Sequence, residues 1–218
     1  MKLQPTKAGG CFALPNYGSL ELIIHIEADP RALSCAPFDF HTILPARKAD
    51  AFRHMSAYLL RHEAGVFVIA VKNHDFASTR HLRDAWCEAD RILAGRNIWL
   101  FSTTSEALQA EPHWSNAQQV ARCARSEVHP HDEARVIDFL EGAGQAPLIE
   151  CARRCEASSD SCDAALKLVS NGTLHFDAST PLTLNSPVRL GSFSPCAPIA
   201  WLSSNDAQTA SGAIREQW

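Results

Sequence analysis

The thiols, imidazoles and cationic side chains of this sequence are its first candidates for chemistry. Eight cysteines are spread along the chain: Cys11, Cys35, Cys87, Cys123, Cys151, Cys155, Cys162 and Cys196. Cys151 and Cys155 stand four apart, which places both on one face of a helix, and His129 and His131 would complete a four-ligand zinc set. No CxxC pair occurs, and the competing reading is that these are buried free thiols; no metal is expected. Among the cations, Arg153 and Arg154 sit on one predicted helix and Lys167 on the next. Groups of this kind meet phosphate oxygens. Asp160 and Asp163 share the helix of Lys167 and make it a poor surface for phosphates, so Arg153 and Arg154 are the better DNA-backbone candidates. Two further residues stand out in apolar surroundings. Glu21 lies within a helical stretch, where the ordinary reading is a solvated carboxylate. Lys72 ends a buried run, where the ordinary reading is a snorkelling side chain.

These residues must be positioned by regular elements. The spacing of Ser19–Ala28 predicts a helix, with Ser19 as its N-cap and Asp29-Pro30 as its stop. Phe38–Leu44 alternates apolar and polar residues as a half-buried strand does. Ser56–Arg61 and Val66–Lys72 read as two more strands joined by a short turn, the first near a sheet edge and the second buried. A helix over Thr79–Leu93, stopped by Gly95, leads into a strand over Asn97–Ser102. Helix, three strands, helix and strand make an α/β layer with a mixed sheet flanked by helices.

From about Ser115 the pattern changes to short helices, over Gln118–Arg125, Asp132–Glu141, Pro147–Cys155 and Asp160–Ser170. His129-Pro130-His131 reads as an interdomain linker. Strands over Thr173–Phe176 and Leu182–Leu190 follow, and helices ending in a β-hairpin are the winged-helix arrangement. The expected domains are 1–114, 115–190 and a loosely ordered tail over 191–218.

Composition narrows the function classes. The chain has 218 residues, 46% of them hydrophobic, enough for a buried core in two small domains. No run of roughly eighteen apolar residues occurs, and the N-terminus lacks the apolar core of a signal peptide, so a cytoplasmic protein without membrane contact is expected. In that compartment disulfides are not expected. The net charge is −4, whereas an autonomous DNA-binding domain usually carries a basic excess. Any DNA contact is therefore local, weak or shared with a partner. The five tryptophans, Trp86, Trp99, Trp114, Trp201 and Trp218, do not interleave with basic residues and read as packing anchors, not stacking platforms.

The order of elements in the first half resembles the PD-(D/E)xK nuclease core. Within it the sequence is similar to the TnsA endonuclease subunit of heteromeric bacterial transposases. Ser19-Leu20-Glu21 resembles the family's S-x-L-E helix, and Glu27-Ala28-Asp29-Pro30 its E-x-D-P helix end, with Ala36-Pro37 where a Gln-Pro often follows. Ser56-Ala57-Tyr58 falls on its Pro-Asp-Phe and Ile69-Ala70-Val71-Lys72 on its Glu/Gln-Val-Lys segment. The likeness spans about residues 10–190. It implies a restriction-endonuclease-like sheet followed by a winged helix, with Glu21 and Lys72 as remnants of the catalytic set.

Two departures decide the implied chemistry. Ala57 stands where the metal-binding aspartate belongs and Ala70 at the Glu/Gln position. Methyl groups do not ligate a cation, and one carboxylate does not hold magnesium, which takes several hard oxygen ligands. The resemblance thus implies a transposition subunit deficient in cleavage, acting at transposon-end DNA beside a DDE-type (TnsB-like) transposase and a AAA+ (TnsC-like) ATPase. An element lacking the 5′-strand cut would move by a replicative, cointegrate-forming route. Two other readings stay open. One is an active endonuclease whose acids have moved to Asp50, Glu63 or Asp75, with His54 or His74 nearby, and which needs magnesium. The other is a winged-helix adaptor or regulator outside transposition, since an acidic recognition helix suits protein docking as well as DNA.

Overall fold

In the computed structural model residues 2–3, 6–7, 12–13, 17–72 and 79–191 are described, and they fall into two units. The first holds the residues up to Leu22 together with Ala32–Leu108. The second holds Ile23–Arg31 and, of the described residues, those from Gln109 to Gly191, so that the helix over Tyr17–Ala28 begins in the first unit and ends in the second. The expected tail beyond Gly191 lies outside the described residues, as do His74 and Asp75.

In the first unit, β1 (Lys2–Leu3) pairs with β2 (Phe12–Ala13), and helix α1 spans Tyr17–Ala28. Strand β3 (Ala32–Phe38) leads through a 3-10 turn at Phe40–Thr42, helix α2 (Ala46–Ala49) and a second 3-10 turn at Asp50–Phe52. Then come β4 (Met55–His62), β5 (Gly65–Lys72), α3 (Arg80–Ala94), β6 (Ile98–Thr104) and α4 (Ser105–Leu108). The sheet order is β3-β4-β5-β6, antiparallel across the first two pairs and parallel across β5 and β6. A parallel neighbour requires a crossover, and α3 lies within it. Both the helix and its ends follow from sequence. Thr79 accepts a hydrogen bond from the Leu82 amide at 3.2 Å, and Leu82, Ala85, Ala89 and Leu93 form its buried stripe. Gly65, at φ +138°, closes the β4–β5 turn in a conformation that side chains disfavour.

Three expectations for this unit are corrected. The strand expected over Phe38–Leu44 lies just before, as β3. Asp39 accepts from the His41 amide at 2.9 Å and Thr42 donates to the Asp39 carbonyl at 2.7 Å, which turns the chain into a 3-10 helix. The alternation there reflects Phe40, whose buried ring stacks on Phe52 at 3.7 Å. Ser19 is not an N-cap, because α1 begins at Tyr17; Ser19 is fully buried and hydrogen-bonded to Tyr58. Finally, β4 is an inner strand, with β3 on one side and β5 on the other.

The second unit contains α5 (His113–Arg122), α6 (Pro130–Ala143), β7 (Ala146–Pro147), α7 (Leu148–Ala152), α8 (Ser161–Asn171), β8 (Leu174–Phe176) and β9 (Pro187–Leu190). Its sheet order is β7-β9-β8, antiparallel throughout. Val136, Leu140, Leu148, Cys151, Leu168 and Val188 belong to one core. Asp160 caps α8 by accepting from the Cys162 and Asp163 amides, both at 2.9 Å, and Gly172 ends it at φ +84°. His129-Pro130-His131 is not a linker. His129 caps α6 and Pro130 occupies its first turn. The final strand is shorter than expected, starting at Pro187. Asn116 holds the preceding loop instead, accepting from the Leu182 amide at 2.7 Å and donating to the carbonyls of Ala178 and Thr180.

Candidate functional site

Register decides which sequence-predicted residues share a face of the first unit's sheet. Phe38, Ala57, Ala70 and Ser102 lie side by side across the four strands, and Met55, Lys72 and Thr104 lie in the next such row but one. Ala57 (8% exposed) and Ala70 (0% exposed) pack in one core with Phe40, Phe52, Leu82, Ala85 and Ala89. The face of the two alanines is therefore the face covered by α3 and by the segment between β3 and β4. Aromatic carbon fills the space above them: Phe52 stacks on Phe40 and approaches Trp86 of α3 at 5.9 Å. The pleat puts Lys72 on this same side, at the strand end and half-buried.

Glu21 lies on α1. Tyr58 alternates with Ala57 along β4, and its hydroxyl meets Ser19 of α1, so α1 lies against the opposite face of the sheet. Glu21 is buried at 5% exposure and accepts a hydrogen bond from the Ser105 hydroxyl at the start of α4. The structure thus brings Ala57, Ala70 and Lys72 to one face, while Glu21 is held from α1 by the hydroxyl of Ser105, the residue after Lys72's cross-strand partner Thr104. Burial pushes the Tyr58 hydroxyl above its ordinary pKa, with Ser19 opposing the shift. Of the acids considered as replacements, Asp50 is exposed and 3.4 Å from His41 Nε2, and the same ring meets Asp39 through Nδ1 at 2.9 Å. Glu63 sits in the exposed β4–β5 turn.

The Glu27-Ala28-Asp29-Pro30 segment belongs to the second unit. Glu27, Asp29 and Arg31 are buried at 7%, 8% and 8% exposure. Arg31 bonds Asp29 through its backbone amide at 3.0 Å and its Nε at 3.4 Å. These residues build structure; the Ser170 hydroxyl of α8 reaches the Glu27 carbonyl at 3.5 Å.

Helix α8 has little surface to offer a ligand. Ala164, Ala165, Leu166, Leu168, Val169 and Ser170 are all buried. At its start Asp163 accepts from the Cys123 thiol at 3.2 Å and faces Arg122 at 3.7 Å. Lys167, expected to meet phosphate, donates to the Ala124 carbonyl at 2.5 Å. Arg153 is exposed and paired with Glu150 at 2.5 Å. Arg154 donates to the Glu150 carbonyl at 2.6 Å and lies 3.3 Å from the centroid of the Phe139 ring. Each of the three expected DNA-contacting cations thus has a partner within its own unit.

Cys151 and Cys155 are fully buried in the second unit's core, and burial raises both thiols to about 11. His129 and His131 are exposed and stacked on each other at 5.2 Å. Among the described residues no group of three or more His, Cys, Asp or Glu side chains is arranged to hold a metal ion. Asp132, beside them, is fully buried. Burial opposes its charge, yet hydrogen bonds from Ser158, Arg135 and the backbone amides of Ala157 and Ser158 prevail and lower its pKa to about 2.

The sequence analysis did not single out Arg47, Arg53, Arg80 and Arg83. All four are exposed, and among the described residues none has a carboxylate partner. Their signal in the sequence is the crowding of basic residues over 47–54 and 80–83. No helix among the described residues is long and apolar enough to cross a membrane. Compared with known proteins, the sequence matches no family model and no curated protein.

Proposed function

We propose that this protein is a TnsA-like subunit of a heteromeric DNA transposition machinery that has lost strand cleavage and serves in assembly at the transposon end. The observation that carries the reading is the first unit's order and strand direction: helix, antiparallel β3-β4-β5, crossover helix and parallel β6. A PD-(D/E)xK core is one α/β fold with which that order is compatible. Within it the two positions that should supply metal-binding carboxylates are alanines packed beneath aromatic rings. The second unit supports the reading, because helix α6, β7, helices α7 and α8, and the β8–β9 pair come in an order compatible with a winged helix. A cation site needs several oxygen ligands converging on one point. Among the described residues no group of three or more His, Cys, Asp or Glu side chains supplies that convergence. A DDE-type transposase and a AAA+ ATPase are the partners this role requires, with transposon-end DNA as the common substrate.

The test is a cleavage and assembly assay on transposon-end duplexes with magnesium or manganese, in the presence of the cognate transposase and ATPase. The expected result is recruitment of the protein into the end complex with no 5′-strand nick above background. A metal-dependent nick that Lys72→Ala abolishes would sink the proposal and select the active endonuclease with relocated acids.

One observation favours a second reading. The coverage of α8 removes the helix that a winged-helix protein would place in the major groove, which suits an adaptor outside transposition. Failure to join any end complex, together with stable capture by another defined protein partner, would select it.

A further inference from the structure

The strongest charged feature outside the region of the two alanines lies on the first unit, around α2, the 3-10 turn after it and the first turns of α3. Packing brings these segments together. His81 Nε2 of α3 is 3.0 Å from the Arg47 carbonyl of α2, Lys48 is ion-paired with Glu88, and Phe52 meets Trp86. Lys72 is the cross-strand partner of Met55, two residues beyond Arg53. The side chains of Arg47, Arg53, Arg80 and Arg83 are exposed at this junction.

The acidic groups around it are few and mostly engaged. Glu88 is held by Lys48. Asp39 and Asp50 flank His41 at 2.9 and 3.4 Å, and hydrogen bonding to Asp39 raises the His41 pKa against a smaller desolvation effect. Asp84, exposed, and Asp90, half-buried, are the other acids on α3 among the described residues, and neither is in an ion pair there. The second unit presents the reverse picture. There acidic residues outnumber basic ones over residues 109–191, and Arg135, Arg153 and Arg154 all face carboxylates. An exposed guanidinium without a carboxylate partner costs nothing in a broken ion pair when it moves to a phosphate.

We infer that Arg47, Arg53, Arg80 and Arg83, with Lys72 beside them, form a contact surface for the phosphate backbone of duplex DNA. The contact is independent of base sequence, since guanidinium–phosphate pairing positions a duplex without reading it. It places DNA on the first unit and not on α8 or on Arg153 and Arg154, which lie just past the end of α7 and not in a helix running to Cys155. The inference rests on the proposed function only in taking DNA as the partner.

The test is fluorescence anisotropy of the full chain with a random-sequence duplex over a range of salt concentrations, without transposase or ATPase. Affinity should fall steeply with salt, as counterion release requires. The charge-reversal variant Arg47→Glu with Arg53→Glu, and separately Arg80→Glu with Arg83→Glu, should each weaken binding by about tenfold or more at low salt and flatten the salt slope by about one to two phosphates. Arg153→Glu with Arg154→Glu should change affinity by less than roughly twofold, within the effect of general charge. Arg47, Arg53, Arg80 and Arg83 are exposed, so melting curves of their variants should match wild type; Arg→Gln versions serve where one does not, and for Arg153 and Arg154, whose bonds to Glu150 a glutamate would turn into repulsion. The inference is overturned if wild type shows no salt-dependent binding, or if the Arg153 and Arg154 pair matters more than the first-unit pairs. Equal competition by polyglutamate of matched charge also overturns it, and assigns the surface to an acidic polypeptide. An end complex that forms with partners while the random duplex stays unbound would remove this surface and leave the proposed function standing. Duplex binding through these arginines with no end complex would do the reverse.

Discussion

A carboxylate introduced at position 70 would enter a space already occupied. Ala70 is fully buried in a core shared with Phe40, Phe52 and Ala85, and an added side chain there meets packed carbon on the α3 side. Ala70→Glu is therefore expected to destabilise the first unit by about 3 kcal/mol or more, through overpacking and burial of an unpaired charge. It should not yield a nuclease. Thermal unfolding of the single variant and of Ala57→Asp with Ala70→Glu checks this. An unchanged melting temperature with new metal-dependent nicking would show that the site is open. The identity of the two alanines was legible in the sequence, but their burial was not. Nothing in the run Ile69-Ala70-Val71-Lys72 reveals that Phe40 and Phe52, far away in sequence, stack on each other in that core. Likewise the pairing of Glu21 with Lys72 rested on order along the chain, which did not show that Glu21 is buried and held by the Ser105 hydroxyl.

At the scale of elements, the strongly periodic segments were readable to within a few residues, as the helix at Arg80–Ala94 and the strand at Gly65–Lys72 show. Misreadings came where side chains redirected the backbone. Asp39 turned an apparent strand into a 3-10 helix, and Asn116 held a loop where a longer strand was expected. Asp132 acts in the same way on a larger span. From the first turn of α6 it binds Arg135 at 2.6 Å, the Ser158 hydroxyl at 2.7 Å and the Ala157 amide at 3.2 Å, tying the α7–α8 loop to α6. Its pKa is lower in the folded protein, about 2 against an ordinary 3.8. The stability it confers is thus fully present above the unfolded value and lost as pH falls toward the folded one. Asp132→Ala should destabilise the second unit by about 3 kcal/mol, since it leaves buried donors without their acceptor. It should also flatten the fall in stability between about pH 4 and pH 2. Denaturant unfolding at several pH values measures both effects, and an unchanged acid limb would show that other carboxylates govern it.

For the molecule as a whole, the sequence's net charge of −4 concealed an uneven distribution. Composition limited DNA contact to something local, weak or shared, while the fold leaves Arg47, Arg53, Arg80 and Arg83 exposed on one unit and pairs Arg135, Arg153 and Arg154 with carboxylates on the other. The helix order of the second unit was readable, but the covering of α8 was not, because it depends on Glu27, Cys123 and Ala124 arriving from distant parts of the chain. That covering has a consequence for motion. A helix that reads DNA keeps one side in water, and its amides can exchange hydrogen through small local openings. Six of the eleven residues of α8 are buried, so its amides should exchange only when the second unit opens as a whole, at the slowest rate in that unit. Hydrogen exchange followed by mass spectrometry should find α8 peptides more protected than those of α5 or α6. Were α8 to exchange early, the cover would be a door, and this helix would be free to meet a partner without unfolding anything else.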